Sequence, residues 1–563
     1  MSWKKRYSDW MNSKYIDYKV KEKLKKVNHE ELEDRFSKEL SFGTGGVRGL
    51  MGYGTNRINE YTIKIITQGY CNYLNKNFKT NRKVAIAYDT RNNSKYFAEI
   101  AAKVFEGNKI EVLTFKEPTP TPLLSYTIPK LNLIGGIVIT ASHNPKEYNG
   151  YKIYNEFGVQ ITEERAKEIK NCIEEVKDFN KIKEVKNINQ YNFIDDDIIK
   201  EYIEDVKSLI INEYTLRYAQ ELKIVYSPLY GAGNNIVKRT LEECGFKNLI
   251  LIQNQPNGDF PGLPYPNPEE KEAYKIPISV AKKNNADLIL LTDPDCDRAG
   301  IAVKCNEEYR IFTGNEIGTL LLYYILNNNT LESEKKKYVI KTIVTTDLVK
   351  EIIGEHKDIE IIETLTGFKY IGEKIKEIEK NKEEFILGFE ESLGYLRGNF
   401  VKDKDGVIAV LSIAEMVLYY QKRGKTLIDV LEEVYNKYGY FREELLYLNF
   451  NDLKENYKIK IIMKNFRENK QELFKEFKVK SLEDYKVGKR YDYINNKEET
   501  LRLPKANVLK FILEDSSSFV IRPSGTEPKL KVYLAARGSG TMEAEAKLSL
   551  IKNKILELIE DML

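Results

Sequence analysis

The chain has 563 residues, of which 42% are hydrophobic and 31% charged. A single hydrophobic core stops growing at about 250–300 residues, so this length predicts several globular domains. Lys and Arg number 89 and Asp and Glu number 85, which gives a net charge of +4. This near-balance argues against nucleic acid or an anionic membrane surface as the main partner.

The five cysteines are scattered, and none forms a C-x-x-C pair. Their arrangement predicts free thiols in a reducing compartment rather than disulfides or a zinc site. Residues 1–40 predict a packed helical segment, and they lack the apolar run of a secretory signal. No run of about 18 apolar residues occurs anywhere, so no transmembrane helix is expected. The predicted location is the cytoplasm.

Short apolar strands then alternate with helical segments over most of the chain. The predicted strands are 84–88, 134–140, 222–226, 288–291, 338–342 and 385–387. This alternation predicts α/β layers with a largely parallel sheet. The last block has closely spaced strands at 508–513, 518–521 and 530–535, which predict an α+β domain. Polar motifs follow several of these strands, where ligands bind in open α/β sheets.

The motif Thr140-Ala-Ser-His-Asn-Pro145 follows the strand 134–140. Pro145 cannot continue a ladder and stiffens the turn. A hydroxyl at Ser142, just past a buried strand, could be a nucleophile. An ordinary polar turn is an equally good interpretation of this motif alone.

The motif Asp293-Pro-Asp-Cys-Asp-Arg298 places three carboxylates on a tight turn after the strand 288–291. Carboxylates so close together repel one another unless a cation binds between them. Oxygen ligands suit Mg²⁺, which commonly also binds phosphate oxygens. The pattern therefore favours a metal site at Asp293, Asp295 and Asp297 over an acidic surface loop.

Three further segments carry polar residues suited to phosphate or sugar. In Arg522-Pro-Ser-Gly-Thr-Glu-Pro-Lys529, the arginine, the two hydroxyls and the lysine can donate hydrogen bonds to a phosphate, and the glycine lets backbone N–H groups approach it. In Gly388-Phe-Glu-Glu-Ser392, carboxylates and a hydroxyl could bind sugar hydroxyls, although helix-capping acids would look the same. In Phe42-Gly-Thr-Gly-Gly-Val-Arg-Gly49, the glycine spacing is not that of a dinucleotide site, and Arg48 is a candidate phosphate contact.

With these five motifs together, the chain resembles the α-D-phosphohexomutase superfamily. The motifs occur in the family's order and span residues 42 to 529. The resemblance implies α/β architecture: three mixed α/β domains plus a C-terminal α+β domain around a central active-site cleft. The expected domains are residues 1–210, bearing the phosphoserine, 211–328, binding the metal, 329–442, binding the sugar, and 443–563, binding phosphate.

The resemblance also implies a role for each matching residue. Ser142 would be the phosphoserine and would share Mg²⁺ with Asp293, Asp295 and Asp297. Lys152 matches the general acid/base position, and Arg48 and Arg298 match arginines around the transferred phosphoryl group. His143, beside the serine, is a further catalytic candidate or simply shapes the turn. The implied substrate contacts are Thr366, Gly367, Lys369, Glu390, Ser392, Arg522, Ser524, Gly525, Thr526 and Lys529.

The implied reaction interconverts glucose 1-phosphate and glucose 6-phosphate through a phosphoserine enzyme, with Mg²⁺ and glucose 1,6-bisphosphate as cofactors. Within the family, three features resemble the branch that contains phosphoglucomutases with phosphopentomutase activity. They are Phe389 before Glu-Glu-Ser, the motif that begins at Phe42, and Thr366-Gly-Phe-Lys369. A phosphopentomutase, a glucose 1,6-bisphosphate synthase and a silent scaffold remain the alternatives. The expected partner is a small phosphosugar, with no nucleic acid or membrane, and the expected state is a monomer or weak homodimer.

Overall fold

The computed structural model describes residues 2–43, 45–176, 178–188, 190–328, 335–450, 456–468, 473, 476–524 and 529–563. These residues form two compact units. Unit 1 comprises residues 1–339 and 367–424, and unit 2 comprises residues 340–366 and 425–563. None of the described helices is both long enough and apolar enough to cross a membrane.

The first part of unit 1 carries eight helices and six strands. The helices are α1 (Trp3–Asn12), α2 (Tyr18–Lys25), α3 (His29–Phe36), α4 (Glu60–Asn77), α5 (Ser94–Gly107), α6 (Thr121–Lys130), α7 (Glu163–Glu174) and α8 (Asp196–Lys207). The strands are β1 (Gly46–Leu50), β2 (Lys83–Tyr88), β3 (Glu111–Thr114), β4 (Gly135–Ile139), β5 (Tyr148–Asn155) and β6 (Asn192–Phe193). They form one sheet in the order β1-β5-β4-β2-β3-β6.

The rest of unit 1 continues with α9 (Asn234–Glu243), α10 (Lys275–Asn284), α11 (Gly314–Asn328), α13 (Phe368–Lys380) and α14 (Gly406–Gln421). Its strands are β7 (Ile224–Ser227), β8 (Leu249–Leu251), β9 (Leu288–Thr292), β10 (Ala299–Cys305), β11 (Glu308–Ile311), β14 (Glu384–Glu390) and β15 (Gly394–Leu396). Strands β7 to β11 form a second sheet in the order β11-β10-β9-β7-β8, and β14 pairs antiparallel with β15. Short 3₁₀ turns lie at Phe179–Lys181, Thr215–Glu221 and Lys271–Tyr274.

Strand β12 (Lys337–Thr342) runs through the point where the chain passes from unit 1 to unit 2. Unit 2 then contains α12 (Leu348–Ile353), β13 (Ile359–Thr364), α15 (Leu427–Tyr438), α16 (Asn456–Glu468) and α17 (Thr541–Asp561). Its strands β16 (Tyr440–Asn449), β17 (Val479–Asp484), β18 (Lys489–Asp492), β19 (Lys497–Thr500), β20 (Leu509–Leu513), β21 (Ser518–Pro523) and β22 (Lys529–Gly538) form one sheet. Its order is β16-β22-β21-β20-β17-β18-β19, and each neighbouring pair of strands in it is antiparallel.

The two sheets of unit 1 are mixed rather than largely parallel. Strand β2 runs parallel to β3 and β4, and β7 runs parallel to β8 and β9. The prediction missed the antiparallel neighbours β5 and β10, which follow β4 and β9 directly in the chain. Because each pair is joined by a turn and not by a helix, the polar motifs at 140–145 and 293–298 lie in hairpin turns.

The N-terminal segment is three helices rather than one continuous helix. The side chains of Asp17 and Asn28 accept N–H bonds at the starts of α2 and α3, so each begins a new helix. Trp10 is buried, and Trp3 and Tyr7 of the same helix pack against the same hydrophobic cluster, as expected of a packed helical segment.

Candidate active site

The nucleophile candidate Ser142 lies in the turn between β4 and β5 and is only 2% exposed. Its backbone is left-handed, with φ of +50°. This conformation costs a non-glycine residue about 1–2 kcal/mol, so surrounding contacts must hold it. The Ser142 N–H donates to Thr140 Oγ1 at 2.8 Å, and the Ser142 hydroxyl donates to Asp293 Oδ2 at 2.7 Å. The hydroxyl thus points at the acidic turn of the second sheet.

The three aspartates of the acidic turn are buried together between β9 and β10. Each of the three offers a carboxylate oxygen, and these oxygens lie within 4.8 Å of one another. Asp293 Oδ1 accepts the N–H groups of Asp297 and Arg298, at 3.0 and 3.1 Å, which closes the turn around it. Burial, together with the charges of Asp297 and Asp295, raises the pKa of Asp293 well above its usual value.

This donor set fits a hard divalent cation. The Oδ1 atoms of Asp295 and Asp297 are buried and accept no hydrogen bond from the part of the chain that the structure describes. Unsatisfied buried carboxylate oxygens are costly unless a cation or a donor pairs with them. Three carboxylates beside a serine oxygen match the all-oxygen ligation that Mg²⁺ prefers.

Two largely buried lysines partly neutralise the acidic turn. Lys152, on β5, places Nζ 2.7 Å from Asp295 Oδ2 and 3.3 Å from Asp297 Oδ2. Lys404 places its Nζ 2.8 Å from the same Asp297 oxygen. Burial alone would raise the pKa of Asp295, but the charges of Lys152 and Lys404 lower it below its ordinary value. The pKa of Asp297 is also lowered, with Lys404 and Lys152 opposing burial and the Asp295 charge.

Lys404 and Thr121 are site residues that the sequence analysis missed. The Thr121 N–H donates to Asp295 O and its hydroxyl to Asp295 Oδ2, both at 2.9 Å. Lys404 lies in the segment Lys402-Asp-Lys-Asp405, whose charges are typical of an exposed loop, yet Lys404 is largely buried. The sequence feature that could have identified this segment as part of the site is its run of four charged residues directly before an apolar helix.

The two predicted arginines and His143 surround the serine turn. Arg48 donates from Nη1 to Asn144 Oδ1 at 2.7 Å. The Arg298 guanidinium pairs with Glu269, and its Nε lies 3.9 Å from Asp297 Oδ1. His143 Nδ1 lies 3.2 Å from the Ser142 Oγ. Burial, with the charges of Arg298 and Arg48, lowers the pKa of His143 well below its ordinary value.

The predicted sugar-side residues of unit 1 are partly brought together. Glu390, at the end of β14, is buried and accepts the Gly367 N–H at 2.8 Å. Burial raises the pKa of Glu390, while the positive charges of Lys404 and Arg298 act in the opposite direction. Glu390 is therefore close enough to interact with the cationic side chains beside the acidic turn. Lys369 instead places Nζ 2.8 Å from Glu163 Oε1. Ser392 lies in the β14–β15 turn, whereas Thr366, which directly precedes Gly367 in the chain, belongs to unit 2.

The predicted phosphate loop belongs to unit 2 and joins β21 to β22. Arg522 lies on β21 opposite Lys531, and the Ser524 N–H donates to Lys529 O at 2.8 Å. Gly525 and Thr526 lie outside the described residues.

The chain matches four domain families along its length. They are the phosphoglucomutase/phosphomannomutase alpha/beta/alpha domain I over residues 39–179, domain II over 200–306, domain III over 313–438, and the C-terminal domain over 463–548. The chain therefore belongs to the phosphoglucomutase/phosphomannomutase family. This membership confirms the predicted superfamily, the α/β fold class and the enzyme class, an intramolecular phosphotransferase.

Curated relatives and solved structures agree with this family. A phosphoglucomutase of Staphylococcus saprophyticus is 35% identical over 528 residues, which covers 92% of this chain and 94% of that protein. A Staphylococcus aureus phosphoglucomutase is 35% identical over 90% of this chain and 91% of its own length. The fold resembles the open form of the Paramecium phosphoprotein pp63/parafusin at a TM-score of 0.69, with 17% identity over 93% of this chain and 96% of that one.

A second solved structure, a putative phosphomannomutase from Thermus thermophilus, has a TM-score of 0.68. It is 21% identical and covers 92% of this chain and 99% of its own. At this identity the likeness supports the fold alone.

Proposed function

We propose that this protein is a phosphoglucomutase that interconverts glucose 1-phosphate and glucose 6-phosphate through a phosphorylated Ser142. The observation that carries the proposal is the 2.7 Å hydrogen bond from the Ser142 hydroxyl to Asp293 within the buried aspartate cluster. Relatives named phosphoglucomutase, matched over more than nine tenths of their length, support glucose as the sugar. Phosphoryl transfer depends mainly on positioning and charge neutralisation, and this site offers both.

In the proposed reaction, phosphoserine gives its phosphoryl group to a free hydroxyl of the sugar phosphate. The bond from phosphorus to the Ser142 Oγ breaks, and a bond from phosphorus to the sugar oxygen forms. The product is glucose 1,6-bisphosphate, whose other phosphoryl group then returns to Ser142 after the sugar turns over. The attacking sugar hydroxyl gives up its proton, and the Ser142 Oγ takes one up as its bond to phosphorus breaks. We assign this proton transfer to Lys152, since its Nζ lies beside the acidic turn that faces the serine.

Mg²⁺ would be held by Asp293, Asp295, Asp297 and an oxygen of Ser142 or its phosphate. Bound there, it would withdraw charge from the phosphoryl oxygens. Lys404 and Lys152 stabilise the remaining carboxylate charge, because each contacts Asp297. We assign Arg48 and Arg298 to the phosphoryl oxygens, since they lie next to Asn144 of the serine turn and Asp297 of the acidic turn. We assign His143 to shaping the turn, since burial lowers its pKa.

The sugar and its second phosphate are assigned to the remaining predicted residues. Glu390, Ser392 and the segment from Thr366 through Gly367 to Lys369 would contact sugar hydroxyls. Arg522, Ser524, Gly525, Thr526 and Lys529 would bind the phosphate that is not being transferred. The division into domains 1–210, 211–328, 329–442 and 443–563, the shared cleft, the cytoplasmic location and the monomer or weak homodimer also remain predictions.

The test is kcat/KM for glucose 1-phosphate, ribose 1-phosphate and mannose 1-phosphate, with Mg²⁺ and trace glucose 1,6-bisphosphate. Ser142→Ala is the control, and it should lose turnover of every sugar. A preference for glucose 1-phosphate supports the proposal. A preference for ribose 1-phosphate would move the assignment to phosphopentomutase while retaining the mechanism. Turnover by Ser142→Ala equal to that of the unsubstituted parent protein would overturn the mechanism.

A further inference from the structure

Behind the nucleophile turn lies a buried ion pair that the proposed mechanism does not use. Arg91, in the loop between β2 and α5, places its Nε 3.3 Å from Asp89 Oδ2, and both side chains are fully buried. Arginine is rarely buried without a partner, and Asp89 supplies one. A buried pair of this kind is weak evidence for stability on its own, so the question is what else the guanidinium contacts.

The guanidinium of Arg91 donates to four backbone carbonyls of the Ser142 turn. Nη2 donates to the carbonyl of Ser142 itself and to that of Asn144. Nη1 donates to the carbonyl of Pro145 at 2.8 Å and to that of Tyr148 at 3.2 Å. The contacts therefore cover the turn from the nucleophile to the start of β5.

Asp89 fixes this guanidinium and the turn at the same time. Its Oδ1 accepts the backbone N–H of Arg91 at 3.0 Å and the Ser94 hydroxyl at 2.6 Å, in addition to the ion pair with the guanidinium. Its Oδ2 accepts the Thr140 hydroxyl at 2.6 Å. The same Thr140 oxygen accepts the Ser142 N–H, so Asp89 reaches the nucleophile by a second route.

Arg91 also contacts the metal-binding half of the site. Its guanidinium carbon lies 5.0 Å from the centroid of the buried Phe260 ring, which packs in the core beneath the second sheet. Next to it, the side-chain amide of Asn92 donates to Asp259 Oδ1 at 3.0 Å. The loop that holds the Ser142 turn is thereby anchored to the sheet that carries Asp293.

We propose that Arg91, held by Asp89, is a positioning residue that keeps Ser142 in its left-handed conformation with the hydroxyl directed at Asp293. Four carbonyls that lie around one planar fork require arginine, because a lysine has a single point of charge and three donors. The inference rests on the proposed function, since it concerns the nucleophile of that reaction. Arg91 itself touches no reacting atom.

The first test compares Arg91→Lys with Arg57→Lys. Arg57 is a matched control, since it is another buried arginine of the same unit that pairs with Asp34 and bonds a backbone carbonyl of its own loop. A misplacement of about 1 Å at a reacting group can cost about 10²-fold in rate, so Arg91→Lys should lower kcat by about 10²-fold. The KM for the sugar phosphate should stay within about 3-fold of the parent, because the substrate contacts remain in place. Arg57→Lys should leave both constants near parent values.

The second measurement is amide hydrogen exchange over residues 142–148, which does not depend on turnover. Arg91→Lys should exchange faster there, and Arg57→Lys should not. If Arg91→Lys does not fold, Asp89→Asn takes its place, with the same direction of change expected in kcat and exchange. Parent-like kcat, or unchanged exchange over this turn, would overturn the inference. A parent enzyme with no mutase turnover would instead refute the proposed function, and the exchange data would still decide whether Arg91 holds the turn.

Discussion

The Ser142 hydroxyl donates a 2.7 Å hydrogen bond to Asp293 Oδ2 across 151 residues of sequence. Each residue lies in the turn of an antiparallel hairpin, one on the first sheet and one on the second. Thr121, at the start of α6, adds a further contact with the acidic turn, because it donates to Asp295 from its N–H and its hydroxyl. A phosphoryl group on Ser142 would therefore lie directly against the three carboxylates, which is why a cation is needed there.

Mg²⁺ should stabilise the folded protein and be required for turnover. The three buried carboxylates repel one another, and a cation that binds only the folded state raises stability by mass action, by about 2.7 kcal/mol at 100 times Kd. We expect the Tm to rise with Mg²⁺ concentration in the parent. Asp295→Asn should lose most of this rise, because Asp295 supplies a buried oxygen without a hydrogen-bond partner among the described residues.

The matched control is Asp347→Asn, which removes a paired carboxylate of unit 2 outside the cluster. Its Tm should rise with Mg²⁺ as the parent's does. An equal Mg²⁺ response in Asp295→Asn and the parent would contradict the assigned metal site. Turnover that survives EDTA would contradict the requirement for a metal.

Lys404 should be needed for both stability and turnover. Removing one partner of a buried ion pair leaves an uncompensated charge, at a cost of about 3–5 kcal/mol. Lys404→Met removes the ammonium that lies 2.8 Å from Asp297, so the variant should unfold at lower urea concentration and lose at least about 10-fold in kcat. The measurements are urea unfolding and steady-state kinetics.

Lys437→Met is the control for Lys404→Met, because Lys437 pairs with Glu355 while about half exposed. Exposed ion pairs are screened by solvent and contribute little to stability, so this variant should behave like the parent. A Lys404→Met variant as stable and as active as Lys437→Met would show that Lys404 has no special place in the site.

Asp405 should give the stability a measurable pH dependence. Burial raises the pKa of Asp405 from 3.8 to about 7, and its carboxylate caps α14 by accepting the N–H groups of Val407 and Ile408. Between those two pKa values the unfolded chain releases a proton that the folded chain keeps. The free energy of unfolding therefore falls as the pH rises through this window.

Asp405→Asn keeps an acceptor for the helix cap but cannot ionise. Relative to the parent, it should gain about 2–3 kcal/mol of stability between pH about 5 and pH about 8. Urea unfolding of both proteins at each pH measures the difference. A constant difference across this range would mean that Asp405 does not titrate there in the folded state.

Sequence alone predicted the strands that end at the site and the side chains on their turns. The apolar runs 84–88, 134–140 and 288–291 became β2, β4 and β9 within a residue or two, because short buried strands have a strong local signal. Ser142, Asp293, Asp295 and Asp297 lie together, as their shared position after strands indicated. Lys152, which only the family resemblance implied, lies beside them.

The rest depended on contacts between segments far apart in sequence. The antiparallel strands β5 and β10 were missed because β5 mixes polar and apolar residues and neither follows a helix. Lys404 lies in a run of charges typical of a solvated loop, and its burial comes from the pairing with Asp297. Arg91 was missed for the same reason, since its four carbonyl partners lie more than 50 residues further along the chain.

The most direct test of the central claim is the location of the transferred phosphoryl group. Protein incubated with Mg²⁺ and glucose 1,6-bisphosphate should gain a single phosphoryl group, which peptide mass spectrometry should place on Ser142. Addition of glucose 6-phosphate should then remove it, and Ser142→Ala should gain none. A phosphoryl group on another residue, or full mutase turnover by Ser142→Ala, would contradict the account.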